Sequence, residues 1–471
     1  MVFSSLIFLY VFFPLCLLAY FLVPGLKGKN GVLIAASLVF YAWGEPLYVF
    51  LLVAVAAANY GFGRLIGRLA VGSRERKAAL VCAVVLDVAI LCTFKYTGLL
   101  VQTANDLLRL SLPVPQIALP LGVSFYIFQS ISYVADVYRD EVSPQKSFWR
   151  FLLYVSLFPQ LIAGPIVRYR DIAAQLEKRE ISVEGIFYGA MRMCIGLGKK
   201  VLLANYAGKV ADQLLASAGT VSGTWFGMVM FAFEIDFDFS GYSDMAIGMG
   251  HIFGFKYPEN FDLPYTAGSI TDFWRRWHIS LGTFFRDYVY IPLGGNRRHQ
   301  LLNLLIVWSL TGLWHGASWN FLLWGLYFFV LLYAEKKSRR VLEKIPAVIR
   351  RIVTLLLLLV GWTVFYYTDF GQMTNALRVM FGGASAYSGE VGVVMLNALP
   401  LFVVCAVGCT PLPRLFGLML SGIASREGET EPTWRAYAYR IGVGVFDAAL
   451  LFASTVSLIG STYNPFLYFR F

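Results

Sequence analysis

Runs of roughly 18 or more apolar residues recur along the whole chain, each long enough to cross a bilayer, with short basic connections between them. No soluble core absorbs so many such runs, and with 58% hydrophobic and 14% charged residues the chain has little polar surface to cover them. The pattern predicts an all-α polytopic membrane protein of one domain, residues 1–471, with about 11–12 transmembrane helices plus re-entrant or interfacial helices. Expected spans are 2–23, 31–43, 47–62, 78–100, 119–138, 148–165, 185–205, 224–254, 301–334, 352–369, 392–412 and 440–461. Residues 2–23 lack a basic segment before them and a small-residue cleavage site after them, so they read as a membrane helix and not a cleaved signal.

The net charge of +11 lies in the connections between apolar runs, which makes it a topology signal and argues against nucleic-acid binding. Lys27 and Lys29 precede one pair of spans, and Arg64, Arg68, Arg74, Arg76 and Lys77 follow it; Arg139, Lys146 and Arg150 come two spans later. These three connections share a side, expected to be the cytoplasm, with the amino terminus outside. The six cysteines lie mostly in apolar runs with no zinc or redox spacing and read as packing residues.

Two stretches do not fit a simple span. Leu301 to Ala334 is 34 residues, about 51 Å of helix against a hydrocarbon core of about 30 Å. Gly312 and Gly316 are the natural places for a break, and unwound backbone at membrane depth is tolerated only where it is buried in protein or lines a cavity, so His315 of "GLWHGASWN" is expected at a break beside a cavity. The stretch 271–300, "TDFWRRWHISLGTFFRDYVYIPLGGNRRHQ", is too charged to cross lipid and too apolar for a solvated loop, and reads as interfacial or re-entrant helices closed by the turn at Gly294-Gly295-Asn296.

Ionisable groups within such segments are functional or paired. His315 is either a proton acceptor, since imidazole takes a proton near neutral pH, or a core histidine bonded to an indole or a carbonyl. His278, with Trp274 one turn before it, reads locally as an interfacial histidine in an aromatic belt. His299 sits in a basic loop and His251 near a span end. In "FEIDFDFSGYSDMAIG", Glu234 and Asp238 share a helix face, Asp236 lies opposite and Asp244 on neither. Without a histidine at matching spacing, a lining or hydrogen-bonding role fits these carboxylates better than a metal site. Asp87 and Lys95, eight residues apart in one span, are expected to pair with other helices.

Five segments together resemble the membrane-bound O-acyltransferase (MBOAT) superfamily, in its bacterial branch typified by the membrane subunit of alginate O-acetylation: "LIAGPIVRY" (161–169), "FDFSGYSDMAIG" (237–248), "DFWRRWHISLGTFFRDYVYIPLGGNR" (272–297), "GLWHGASWNFLLWG" (312–325) and "NPFLYFRF" (464–471). The chain departs from that branch at Gly282, where serine is common, and at Arg470, where glutamine is common. The resemblance implies an all-helical fold with a central tunnel, His315 as the catalytic residue and His278 as a second essential polar residue. It implies acetyl-CoA as donor substrate with no bound cofactor or metal, and acetyl transfer toward an exopolysaccharide or other cell-envelope polymer through an extracytoplasmic SGNH-type partner. Trp314, Asn320, Arg275, Arg276, Arg297, Asp238 and Asp244 are then candidate substrate-binding residues, the arginines suiting a donor's phosphates or, equally, anchoring the basic side. D-alanyl transfer to teichoic acid from a carrier-protein thioester is the alternative within the superfamily, and a membrane transporter the alternative outside it.

Overall fold

A computed structural model describes residues 1–424, 434–460, 466 and 467. Helices form most of it, and the only strand-like pairing among the described residues is the isolated bridge between Thr220 and Ser385. Five helices are each long and apolar enough to cross a membrane: Tyr48–Ile66, Arg74–Leu108, Ala347–Tyr366, Gly389–Gly408 and Trp434–Ile459. The predicted run 185–205 is longer in the structure, continuing from Val183–Gly198 through a π-helical turn into Asn205–Leu215.

The central helix Val221–Ile252 packs against Val183–Gly198 along a stripe of glycines. A Cβ at Gly189 would stand 2.5 Å from the carbonyl oxygen of Gly248, and one at Gly196 would stand 2.5 Å from that of Gly241. Small residues let these backbones touch, which substitutes in lipid for the missing hydrophobic drive. The carboxylates of the central helix are thereby drawn into the middle of the molecule.

Polar contacts gather the basic connections at one end. Arg76 pairs with Asp140 at 2.6 Å, Arg150 with Glu177 at 2.6 Å, and Arg168 and Arg170 each with Asp287 at 2.9 Å. Two predicted spans turn out to be hairpins with both ends on this basic face. Residues 148–165 fold as Phe148–Ser156 and Phe158–Leu161 and return, so that Arg150 at the start meets Glu177 beyond the end. Leu301 to Ala334 becomes Gln300–His315 and Trp319–Lys337, antiparallel, with Gln300 and Lys336 hydrogen-bonded across the base. Gly312 and Gly325 face each other at the crossing of these two helices, where a Cβ on Gly312 would stand 3.4 Å from the Gly325 Cα and collide with the Phe321 carbonyl. The chain reverses over residues 316–318, so the break falls at Gly316, one of the two expected places, while the other, Gly312, stays inside its helix.

Candidate active site

His315 is the last residue of its helix and stands at the hairpin tip. Three groups hold that tip. Lys95 Nζ donates to the Trp314 carbonyl, and Tyr96 Oη donates at 2.7 Å to that of Leu313, so two carbonyls left open by the helix end are satisfied, one by a cation where the helix dipole is negative. Asn320 opens the return helix and spans with Nδ2 to the carbonyls of Val364 at 3.3 Å and Phe365 at 3.4 Å. Lys95 and Asp87 accordingly meet partners on other helices, Asp87 accepting from Asn59 Nδ2 at 2.8 Å.

The His315 ring lies among Trp324, Trp314 and Phe365, with centroids 4.9, 5.0 and 5.4 Å away, and makes no hydrogen bond among the described residues. It lines a cavity of about 40 Å³ together with Asp238, Trp277, Trp314, Trp324 and Leu467. Asp238 is buried, ion-paired to Lys200 at 2.5 Å, and accepts at 2.8 Å from the backbone N–H of Leu467. That hydrogen bond seats part of the carboxy-terminal motif as cavity wall; residues 464, 465 and 468–471 of the motif, Arg470 among them, lie outside the described residues. Leu467 also lines a cavity of about 340 Å³ bordered by Tyr366, Tyr367 and Gln372.

His278 sits in the interfacial stretch, which folds as Ile270–Arg276 and Ile279–Phe285 with His278 at the bend. Glu335 caps the first of these helices, accepting from Ile270 N–H at 2.8 Å. The bend needs a left-handed residue, and His278 takes φ 45°, a conformation uncommon outside glycine. Its ring is buried, 4.7 Å from Phe239 and 5.6 Å from Trp314, so the Trp314 indole lies against both histidines. His278 lines a cavity of about 480 Å³ with Arg275, Trp277 and Arg286, and Trp277 is a lining residue of the His315 cavity as well. Arg275 also lines an adjoining cavity of about 760 Å³ that reaches Lys336, Arg339 and Arg350 at the basic face.

The structure thus brings His315, Trp314 and Asp238 to one small cavity and His278 and Arg275 to a neighbouring larger one. It does not bring the remaining candidates there. Asn320 is buried as a brace between helices. Arg276 is engaged by Asp272 at 3.0 Å and Asp262 at 3.8 Å. Arg297 is exposed in its loop. Asp244 pairs with Arg192 at 2.8 Å and Lys199 at 2.7 Å around a separate polar cavity. Trp324, Trp277 and Leu467 belong to the site without having been singled out from sequence. Nothing in helical spacing distinguishes a tryptophan that walls a cavity from one that fills a core.

Residues 139–370 match the family described as MBOAT, membrane-bound O-acyltransferase family. A probable alginate O-acetylase of Azotobacter vinelandii is 36% identical over 100% of both chains. A peptidoglycan O-acetyltransferase of Helicobacter pylori is 33% identical over 81% of this chain and 80% of its own, and a teichoic acid D-alanyltransferase of Bacillus subtilis 29% identical over 45% of this chain and 58% of its own. With full-length identity of this order, and the matched region spanning both histidines and the hairpin, the chain belongs to the membrane-bound O-acyltransferase family and is an O-acyltransferase enzyme, not a transporter.

Proposed function

We propose that the enzyme carries an acetyl group from acetyl-CoA, taken up at the basic face, to a hydroxyl acceptor on the other side of a bacterial cytoplasmic membrane. The basic face is then cytoplasmic and the amino terminus outside. The final acceptor is an exopolysaccharide or another cell-envelope polymer, reached through an extracytoplasmic SGNH-type partner. The observation that carries this reading is the His315 imidazole at the hairpin tip, without a hydrogen bond among the described residues, with a small cavity beside it and larger cavities extending from the Trp277 wall to the basic face. Since one water needs about 10–15 Å³ of such space, a cavity of about 40 Å³ suits a two-carbon acyl group and not a long chain.

In the transfer step the acceptor oxygen attacks the thioester carbonyl while its proton passes to the His315 imidazole. The carbon–oxygen bond forms, the carbon–sulfur bond breaks, and the leaving thiolate takes the proton back from the imidazolium, giving an ester and free CoA thiol. A positioned general base contributes typically about 10²–10⁴-fold. Arg275, lining both larger cavities, suits the donor's phosphates because guanidinium pairs with them bidentately. The relatives named for acetyl transfer cover most of this chain, whereas the D-alanyl relative covers less than half of it, which leaves D-alanyl transfer as the second reading.

The test uses vesicles of known orientation. Acetyl-CoA supplied at the face bearing Arg74 and Arg76 is expected to release CoA thiol and acetylate an acceptor supplied only at the opposite face, with both signals lost in His315→Ala. A requirement for donor and acceptor on the same face sinks the two-sided path. Turnover of a carrier-protein D-alanyl thioester but not acetyl-CoA selects the second reading.

A further inference from the structure

Asn260 lies in the loop before the interfacial helices and is fully buried. Its Nδ2 donates to Ser243 Oγ at 3.1 Å, leaving Oδ1 as the acceptor end. Oδ1 receives the backbone N–H of Ser280 at 3.2 Å and the Ser280 hydroxyl at 2.8 Å. A backbone N–H only donates, so the orientation of this amide is fixed by the network. The same Oδ1 stands 3.2 Å from His278 Nδ1. An acceptor facing Nδ1 requires the proton there, and a neutral imidazole then carries its lone pair on Nε2. Nε2 is buried and has no hydrogen-bond partner among the described residues. Asn260 braces the backbone of the bend as well, its carbonyl accepting from Ile279 N–H at 3.0 Å, directly after the left-handed His278.

We infer that Asn260 is a positioning residue that locks His278 in the Nδ1–H tautomer, so that Nε2 offers a hydrogen-bond acceptor to the donor-side cavity. An acceptor there recognises an N–H group, such as an amide of a pantetheine-type donor arm. It has no proton to give to a leaving thiolate, so the proton returned to sulfur is the one His315 took. The tautomer is read without any substrate; only what the lone pair meets rests on the acyl-transfer reading.

The experiment is nitrogen-15 NMR of the full-length protein labelled at its four histidines, with the His278 signals identified by their loss in His278→Gln. A protonated Nδ1 and unprotonated Nε2 are expected at neutral pH. Asn260→Leu, which removes the acceptor, is expected to yield a mixture of tautomers and a loss of acetyl transfer of tenfold or more. Asn260→Asp, which keeps an acceptor oxygen, is expected to retain the wild-type tautomer and more transfer than the leucine variant. A wild-type His278 protonated at Nε2 overturns the inference whether or not acetyl-CoA is the donor, and so does an unchanged tautomer in Asn260→Leu. If Asn260→Leu does not fold, the wild-type and Asn260→Asp spectra decide. A wild-type tautomer as expected, together with no turnover of acetyl-CoA, leaves the tautomer lock standing and removes the donor reading alone.

Discussion

Lys95→Met isolates what holds the His315 hairpin in place. Methionine is also unbranched and fills much of the same space, but it removes the cation that caps the Trp314 carbonyl and lies 6.0 Å from the Trp314 ring centroid. A hydrogen bond from a charged donor is worth about 1.5–3 kcal/mol net. Tyr96 still caps the Leu313 carbonyl and Trp319 Nε1 still donates to Thr103 Oγ1 at 3.2 Å, so the tip loses one of several restraints and the helix is not expected to unravel. At about 1.4 kcal/mol per factor of ten, the seated tip is then disfavoured by roughly 10- to 150-fold relative to alternatives one residue away. Because misplacing a reacting group by about 1 Å costs on the order of 10²-fold, acetyl transfer is expected to fall by roughly one to two orders of magnitude. Thermal unfolding in detergent should drop by only a few degrees. The assay is CoA thiol release by purified protein in vesicles, with Lys95→Arg expected to restore part of the activity. Lys95→Met with wild-type turnover would refute the reasoning, because the carbonyl of the residue before His315 would then need no cap.

His315→Asn should insert and unfold like the parent yet release no CoA thiol above background, whereas His278→Asn should keep measurable turnover. A carboxamide can replace an imidazole hydrogen bond but cannot take up the proton, and equal, complete loss in both refutes that division of roles. Asp238→Ala leaves Lys200 without its buried carboxylate partner and Leu467 without its acceptor, so unfolding measurements should show a loss of about 3–5 kcal/mol, with Asp238→Asn less affected. Asp287, at the basic face, is partly buried, which works against its ionisation, but Arg286 bonded to it and Arg168 and Arg170 beside it outweigh that and hold its carboxyl below the usual range. Its folded pKa is depressed, so its contribution to stability is fully present above the ordinary aspartate value of about 3.9 and is lost as pH falls below it. Asp287→Asn should flatten the acid limb of the stability profile, which pH-dependent unfolding checks.

Hydropathy by itself determined the membrane class and the helical fold, because apolar segments of this length have no other way to satisfy their backbone groups in lipid. It also marked 301–334 as too long for one crossing, and local motifs marked both histidines. Hydropathy is blind to direction, however: a segment that crosses and one that returns to its own side bury the same apolar surface. Only the packing of Gly312 against Gly325 and the bond between Gln300 and Lys336 make that segment a hairpin with His315 at its tip. Residues 148–165 read as a span in hydropathy for the same reason, yet fold back as two short helices. The polar partners were likewise beyond sequence, since helical periodicity assigns a residue to a face and never to a neighbour on another helix. Lys95 caps a carbonyl 219 positions away and Asp238 holds an N–H 229 positions away. Asn260, from an irregular loop with no period at all, reaches His278 only because the chain bends through a left-handed residue there. Whether an arginine of the motif lines a cavity, as Arg275 does, or is engaged by neighbouring carboxylates, as Arg276 is, was settled by the tertiary fold alone, which decides what each side chain meets.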